Sequence, residues 1–418
     1  MTSRFVPPPG PSRALAAAQL AGSLGDGAFL VCSALFFIRV VGMSPGQIGL
    51  GLTAAWAIGS IAGVPLGSLA DRRGPRGTAI LLALGTAAAV GAFLTVRSLV
   101  PFILVACLYA SFQSGLGAAR QALLAGLVAP ADRTEARAFM QSTANAGLAI
   151  GAALGGLALQ ADTAPAYLAV FAVDAVSFVL AALLLTRLPA VPAAPPVTAG
   201  EPGPAVLRDR PYALISLINA VMLLYMPMLS LVMPLWIVER TDAPRWIVSA
   251  LLVINTICVV LFQVRVARGV TGLLGAVRFV RLSGLIMLAS CAVFALSGYG
   301  PSAWTAAFAL LVAVLLQVTA EMVLASGAWE ISFGLAPAQR QGQYQGFFGM
   351  GVPLARMLGP ALLTTVVLGW GAPGWLALGG VFLAAGAAMA PAVRWAERTR
   401  ATAPPRPSPR TEPAPALP

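Results

Sequence analysis

Long apolar runs, each near the length of a membrane crossing, alternate with short polar interruptions along the whole chain. A helix rising 1.5 Å per residue needs about 20 residues to cross the hydrocarbon layer. On that ruler the chain holds twelve spans, near 14–38, 45–69, 77–97, 101–125, 136–160, 165–187, 212–237, 246–266, 273–297, 302–327, 343–368 and 372–394. A proline-rich stretch at 189–211, carrying Glu201, Arg208, Asp209 and Arg210, cannot enter the bilayer and divides the spans into two sets of six. The expected organisation is an N-terminal segment at 1–13, a six-helix bundle at 14–188, the linker at 189–211, a second bundle at 212–396 and a disordered tail at 397–418.

Composition sharpens this picture. Of 418 residues 59% are hydrophobic and 10% charged. Soluble domains carry about 25% charged residues, so the class is an all-α integral membrane protein. The net charge of +12 invites a nucleic-acid reading, and the positions of the charges decide against it. All 26 basic residues are arginine; Arg39, Arg97, Arg240 and Arg245 fall on one side of the topology, Arg281 and Arg356 within spans, and the rest on the other side. Such asymmetry marks the arginine-rich side as cytoplasmic, and with twelve spans both termini lie there, in a multi-pass protein of the plasma membrane.

Several chemistries are excluded. The four cysteines sit singly in apolar runs with no ligand spacing, there is no histidine, and without lysine there is no Walker phosphate loop. No nucleophile, base and orienting group converge, so an enzyme, a metal site and a bound cofactor are not expected. The N-terminus lacks a cleavable leader, and its first apolar run reads as a retained span.

One dense charge cluster stands in the first hundred residues, Gly67-Ser-Leu-Ala-Asp71-Arg72-Arg-Gly74-Pro75-Arg76, in a turn between two spans. It resembles the signature loop of the major facilitator superfamily, Gly-x-Leu-Ala-Asp-Arg-x-Gly-Arg-Lys, with Pro75 in place of the first trailing basic residue. The resemblance implies that superfamily's fold, two pseudo-symmetric six-helix bundles around a midplane site, and a gating role for Asp71, Arg72 and Arg76. Glu135 and Arg120 are plausible partners for that turn. In the second half, Arg265-Val-Ala-Arg268-Gly269 stands at the equivalent place without the aspartate. The fifth span carries Gly147-x-x-x-Gly151-x-x-x-Gly155-Gly156, a close-packing face that resembles the antiporter motif of the bacterial drug/proton branch, with Ala152 for its proline. Gly349, Gly351, Pro353, Gly359 and Pro360 predict a bend in the eleventh span.

Ionisable groups inside spans are costly and point to function. Asp26 lies mid-span on a polar stripe with Gln19 and Ser33, and Glu321 has Gln317 one turn away. The fold implied by the resemblance puts the first, fourth, seventh and tenth helices around the cavity, and so both carboxylates in it. They are read as proton-coupling or substrate-charge residues, with Arg356 able to pair with Asp26 and Arg281 with Glu321. Arg120 substitutes for the fourth-helix arginine of the family, whose place is taken by Ser111. Asp174, on a peripheral helix, reads as structural, and Glu330 as an interfacial charge.

The remaining cavity positions, Phe29, Gln113, Asn219, Met222 and Tyr225, form a soft, weakly polar lining that suits lipophilic compounds. The expected function is proton-coupled efflux of a small lipophilic or cationic compound by alternating access, by a monomer whose partners are substrate, protons and the lipid bilayer. The alternatives are a specific metabolite exporter or importer, by uniport or with another coupling ion, and a non-transporting sensor or scaffold.

Overall fold

The structure is a computed structural model that describes residues 7, 9–193, 205–299 and 302–401. Among them twelve helices are long and apolar enough to cross a membrane: α1 Pro11–Arg39, α2 Pro45–Arg73, α3 Pro75–Phe93, α4 Leu99–Leu127, α5 Pro130–Ala161 and α6 Ala164–Thr186. The second six are α7 Arg210–Arg240, α8 Ile247–Ala267, α9 Gly272–Ser297, α10 Ala303–Leu335, α11 Ala338–Leu368 and α12 Ala372–Ala401. The tail from 402 and most of the linker lie outside the described residues.

The helices start and stop where local chemistry dictates. Proline at the first turn opens α1, α2 and α3, where its missing N–H costs nothing. Ser44 closes a capping box with Gln47 at the start of α2, and Asp209 caps α7 by accepting from the Tyr212 N–H at 3.1 Å. Gly74, at φ +93°, makes the tight joint between α2 and α3 that an L side chain would strain. Most helices extend beyond the expected spans, since a helix need not end at the hydrocarbon edge. The largest difference is α10, which continues to Leu335 through most of the loop expected at 328–342.

Helices α1–α6 and α7–α12 each enclose their own core. In the first bundle Phe29, Phe36, Phe37, Phe93, Phe102 and Phe171 interlock edge-to-face and tilted. In the second, Trp375 stacks on Phe294 with centroids 4.6 Å apart and meets Trp236 edge-on. Lipid tails are as apolar as leucine, so helix association in a bilayer relies on close packing and polar contacts more than on the hydrophobic effect. Accordingly the outer surface is apolar, with Leu30, Ile61, Val100 and Leu274 at least 66% exposed.

The bundles join at the arginine-rich face. There Gly67 and Gly63 of α2 meet Gly342 and Gly346 of α11 so closely that a Cβ on Gly67 would overlap the Gly342 carbonyl. Helices α5 and α8 also touch: the Ser142 hydroxyl donates to the Val260 carbonyl at 2.7 Å.

Candidate functional site

Two helices that border the centre are broken there. α7 is interrupted at Leu223–Leu224 and widens into a π turn over Met228–Val232, around Pro227. α11 breaks at Met350, between Gly349 and Gly351, as the glycines and prolines of that span predict. Gly359 of α11 has no side chain, so its backbone seats against the Pro227 ring of α7. Irregular backbone at membrane depth is tolerated where it lines a cavity, and a cavity of about 390 Å³ lies between the bundles.

Its lining is more polar than the sequence suggests. Gln19, Gln113, Gln121 and Gln141 reach it from the first bundle, and Asn219, Gln263 and Gln345 from the second. Gln121 and Gln345 are over nine-tenths buried, and the Gln121 Oε1 and Gln345 Nε2 atoms have no hydrogen-bond partner among the described residues. Arg120 of α4 and Arg137 of α5 also line the cavity. Both bring a positive charge into the same space. Arg137 rests over the Trp329 ring of α10, 5.5 Å from its centroid, a cation–π contact that orients the group without neutralising it. Among the described residues neither arginine forms an ion pair.

Glu321 is the one acidic group in the lining. It accepts from Asn255 Nδ2 at 3.1 Å and from Gln317 Nε2 at 3.2 Å. Behind the lining, Asp26 accepts from the Tyr109 hydroxyl and from Gln113 Nε2, each at 2.9 Å, and Gln113 also donates to Tyr109 at 3.0 Å. Both carboxyls are thus held by neutral donors. A carboxylate locked to a guanidinium strands a buried charge when it is protonated; one held by amides and hydroxyls does not. Among the described residues neither Arg120 nor Arg356 forms an ion pair with Asp26.

At the arginine-rich face the Asp71 carboxylate accepts from the N–H groups of Gly342 at 2.7 Å and Gln343 at 2.9 Å. These are unpaired donors of the first turn of α11, where the helix dipole favours a negative charge. Beside it, Arg268 Nη2 and Nε donate to Glu135 Oε1 at 2.6 and 2.9 Å, and the Thr134 hydroxyl donates to Glu330 Oε2 at 2.5 Å. All three contacts cross between bundles and close this face.

The model of the Major Facilitator Superfamily matches residues 15–360. The chain belongs to that superfamily. It is therefore a transporter, and its multi-pass helical architecture is that of the family. No curated protein matches the chain. Similar solved structures include the human organic anion transporter MFSD10, 17% identical, TM-score 0.70, covering 90% of this chain and 98% of that one. A bacterial homologue of the iron transporter ferroportin, in an outward-facing state, is 15% identical with TM-score 0.71, covering 93% and 99%. The E. coli fucose:proton symporter is 13% identical with TM-score 0.68, covering 92% and 98%. At such identities the likeness is one of fold.

Within the superfamily fold the expected site residues separate into groups. Gln113, Asn219, Tyr225, Glu321 and Arg120 line the cavity, with Asp26 bonded to one of them. Gln317 is buried behind Glu321, and Met222 belongs to the core of the second bundle. Phe29 lines a separate apolar pocket of about 40 Å³ with Trp56 and Tyr109. Arg356 does not pair with Asp26; it lies over the Trp56 ring at 5.5 Å, the two bundles meeting there. Arg281 is exposed on the outer surface and nowhere near Glu321.

The gating group also redistributes. Asp71 uses backbone donors rather than Glu135 or Arg120, and Glu135 pairs with Arg268. Arg76 donates to the Thr186 carbonyl at 2.5 Å, bracing α3 on α6, while Arg72 is exposed. Glu330 is more than an interfacial charge, because α10 carries it to Thr134. Gly147, Gly151 and Gly155 pack against the α1 backbone, whereas a Cβ on Gly156 would meet nothing within 4 Å.

Arg137, Gln141 and Gln121 were not expected in the cavity. Arg137 and Gln141 are four residues apart on α5, and Gln113 and Arg120 are seven apart on α4, spacings that place each pair on one face. Asp174 is fully buried between α6 and α1, facing Gly25, and its two carboxyl oxygens have no partner among the described residues.

Proposed function

We propose that this superfamily member moves a small organic anion by alternating access, with protons loaded on Asp26 and Glu321. The observation that carries the reading is the Arg120–Arg137 pair, two cavity-facing guanidinium groups without a carboxylate partner, ringed by seven amide side chains. Two like charges held together in a space of low dielectric repel, and an anion between them relieves the repulsion. The lining revises the cargo from lipophilic or cationic to anionic and polar, closer to a specific metabolite than to a broad range of drugs.

Energy coupling follows from the same geometry. A bound anion brings negative charge beside Arg120, which acts on Asp26 through space. Loading the anion weakens the field that favours the ionised Asp26, so substrate and proton occupancy are linked. The contacts around Asp71, Glu135 and Glu330 close the arginine-rich face, which we take as the cytoplasmic one because arginine-rich loops are retained there. On this reading the closed face is the cytoplasmic gate of the transport cycle.

Glu321, the one cavity acid, supports a second reading, export of a cation with Glu321 as its counter-charge. Proteoliposomes holding a pH dye separate the two. Monoanionic and dianionic organic acids, then lipophilic cations, are added under either sign of pH gradient, so that direction is read as well. Anion flux with proton movement, with the proton movement lost in Asp26→Asn or Glu321→Gln, supports the proposal. Cation-driven proton movement that ignores Arg120→Gln and Arg137→Gln sinks it.

A further inference from the structure

The outer surface of the second bundle carries two arginines that transport leaves unused. Helices α9 and α12 cross there almost in contact. A Cβ on Gly284 would come within 2.7 Å of the Phe382 carbonyl oxygen, and one on Gly386 within 3.0 Å of the Val280 carbonyl oxygen. With no side chains holding the axes apart, a groove of about 280 Å³ opens beside the crossing, lined by Arg278, Arg281, Leu282, Leu285, Leu383 and Ala387.

Arg278 and Arg281 are three residues apart on α9, so both guanidinium groups serve one face. Both are exposed, and neither has a hydrogen-bond or ion-pair partner among the described residues. Counted from Gly272 at the arginine-rich end, they stand roughly 9 and 14 Å along the helix. Around them the surface is hydrocarbon-facing: Leu274 is 70%, Leu282 46% and Leu285 54% exposed. An arginine at such a depth on a lipid-facing helix is costly unless its head reaches an anion near the interface.

We propose that this groove binds an anionic phospholipid of the leaflet at the arginine-rich face. Its phosphate takes the forked donors of Arg278 and Arg281, and an acyl chain runs along Leu282, Leu285 and Leu383 past the small side chain of Ala387. The charge selects an anionic head, and the apolar walls select a lipid over free phosphate. The site rests on the membrane architecture alone and is independent of the cargo.

The test is native mass spectrometry of the full chain, released from vesicles of phosphatidylcholine with phosphatidylglycerol. Wild type is expected to retain phosphatidylglycerol, and Arg278→Gln/Arg281→Gln to retain about tenfold less. Millimolar inorganic phosphate is expected to leave retention unchanged. Lysine at both positions keeps the charge should the glutamine pair fail to fold, and its loss of the fork is expected to give intermediate retention. Equal retention in wild type and the double variants overturns the site. So does an equal loss in Arg72→Gln/Arg73→Gln, which would mean diffuse surface attraction, and so does displacement by phosphate.

Discussion

The carboxylate of Asp71 in α2 bridges to the first turn of α11, accepting from the Gly342 N–H at 2.7 Å and the Gln343 N–H at 2.9 Å. The bond crosses between bundles, so it exists only while the arginine-rich face is closed. Hydrogen bonds to a charged group contribute about 1.5–3 kcal/mol net. Asp71→Ala is therefore expected to shift the equilibrium toward the state open at that face by about tenfold or more. Labelling of a cysteine placed at Gln345, on a cysteine-free background, should accelerate accordingly. An unchanged labelling rate would reduce Asp71 to a marker of topology.

Arg268 and Glu135 form the outer part of the same closure, half-exposed to solvent. Such pairs contribute about 0.2–1 kcal/mol, so Glu135→Gln should shift the labelling rate only slightly. Exchanging the charges, Glu135→Arg with Arg268→Glu, should restore it. A double-mutant cycle with no coupling would show that the pair is incidental.

Packing of α5 on α1 gives a sharper contrast. A Cβ on Gly151 would collide with the Leu24 carbonyl oxygen, while one on Gly156 meets nothing within 4 Å. Gly151→Ala should lower thermal stability by about 1–3 kcal/mol, as overpacking does. Gly156→Ala should leave it unchanged. Equal melting temperatures would contradict the described helix contact.

The twelve spans and the division into two sets of six are legible in the sequence because hydrocarbon thickness fixes both length and composition. The joint at Gly74 and the close-packing face of Gly147, Gly151 and Gly155 are legible too, whereas Gly67, read as part of the turn, lies within α2 and packs on α11. What escapes is which side chains converge. Arg281 and Glu321 both lie inside spans, yet helix rotation sends one outward and the other into the cavity. Rotation is set by packing, and in the second bundle α9 turns Gly284 toward α12, carrying Arg281 to the surface. Cavity polarity is hidden for a similar reason, because Arg137 and Gln141 lie on a helix whose composition looks like a packing element.

Asp162 ends α5 in the left-handed region, at φ 46°. The Tyr167 hydroxyl first, then the Arg39 guanidinium, hold its carboxyl below the ordinary aspartate value of 3.8. Its contribution is therefore full above that value and is lost as pH falls through the lower folded one. Asparagine tolerates the same backbone. Wild type and Asp162→Asn should differ in melting temperature at pH 6 and converge well below pH 3.8. A difference that persists in acid would assign it to geometry rather than charge.

Asp26 and Glu321 are each held by neutral donors, so Asp26→Asn and Glu321→Gln keep the size and much of the hydrogen bonding. Both variants should reach the membrane folded, with melting temperatures within a few degrees of wild type. Loss of folding in both would make these groups structural.

Direct binding tests most simply whether Arg120 and Arg137 form an anion site. Isothermal titration of a dicarboxylate panel and a lipophilic-cation panel would be run on detergent-solubilised wild type, Arg120→Gln, Arg137→Gln and Glu321→Gln. A dicarboxylate is expected to bind wild type and to bind about tenfold or more weakly to either arginine variant, as the loss of a charge-assisted contact should cause. Binding of cations alone, unchanged by the arginine substitutions and abolished in Glu321→Gln, would contradict it.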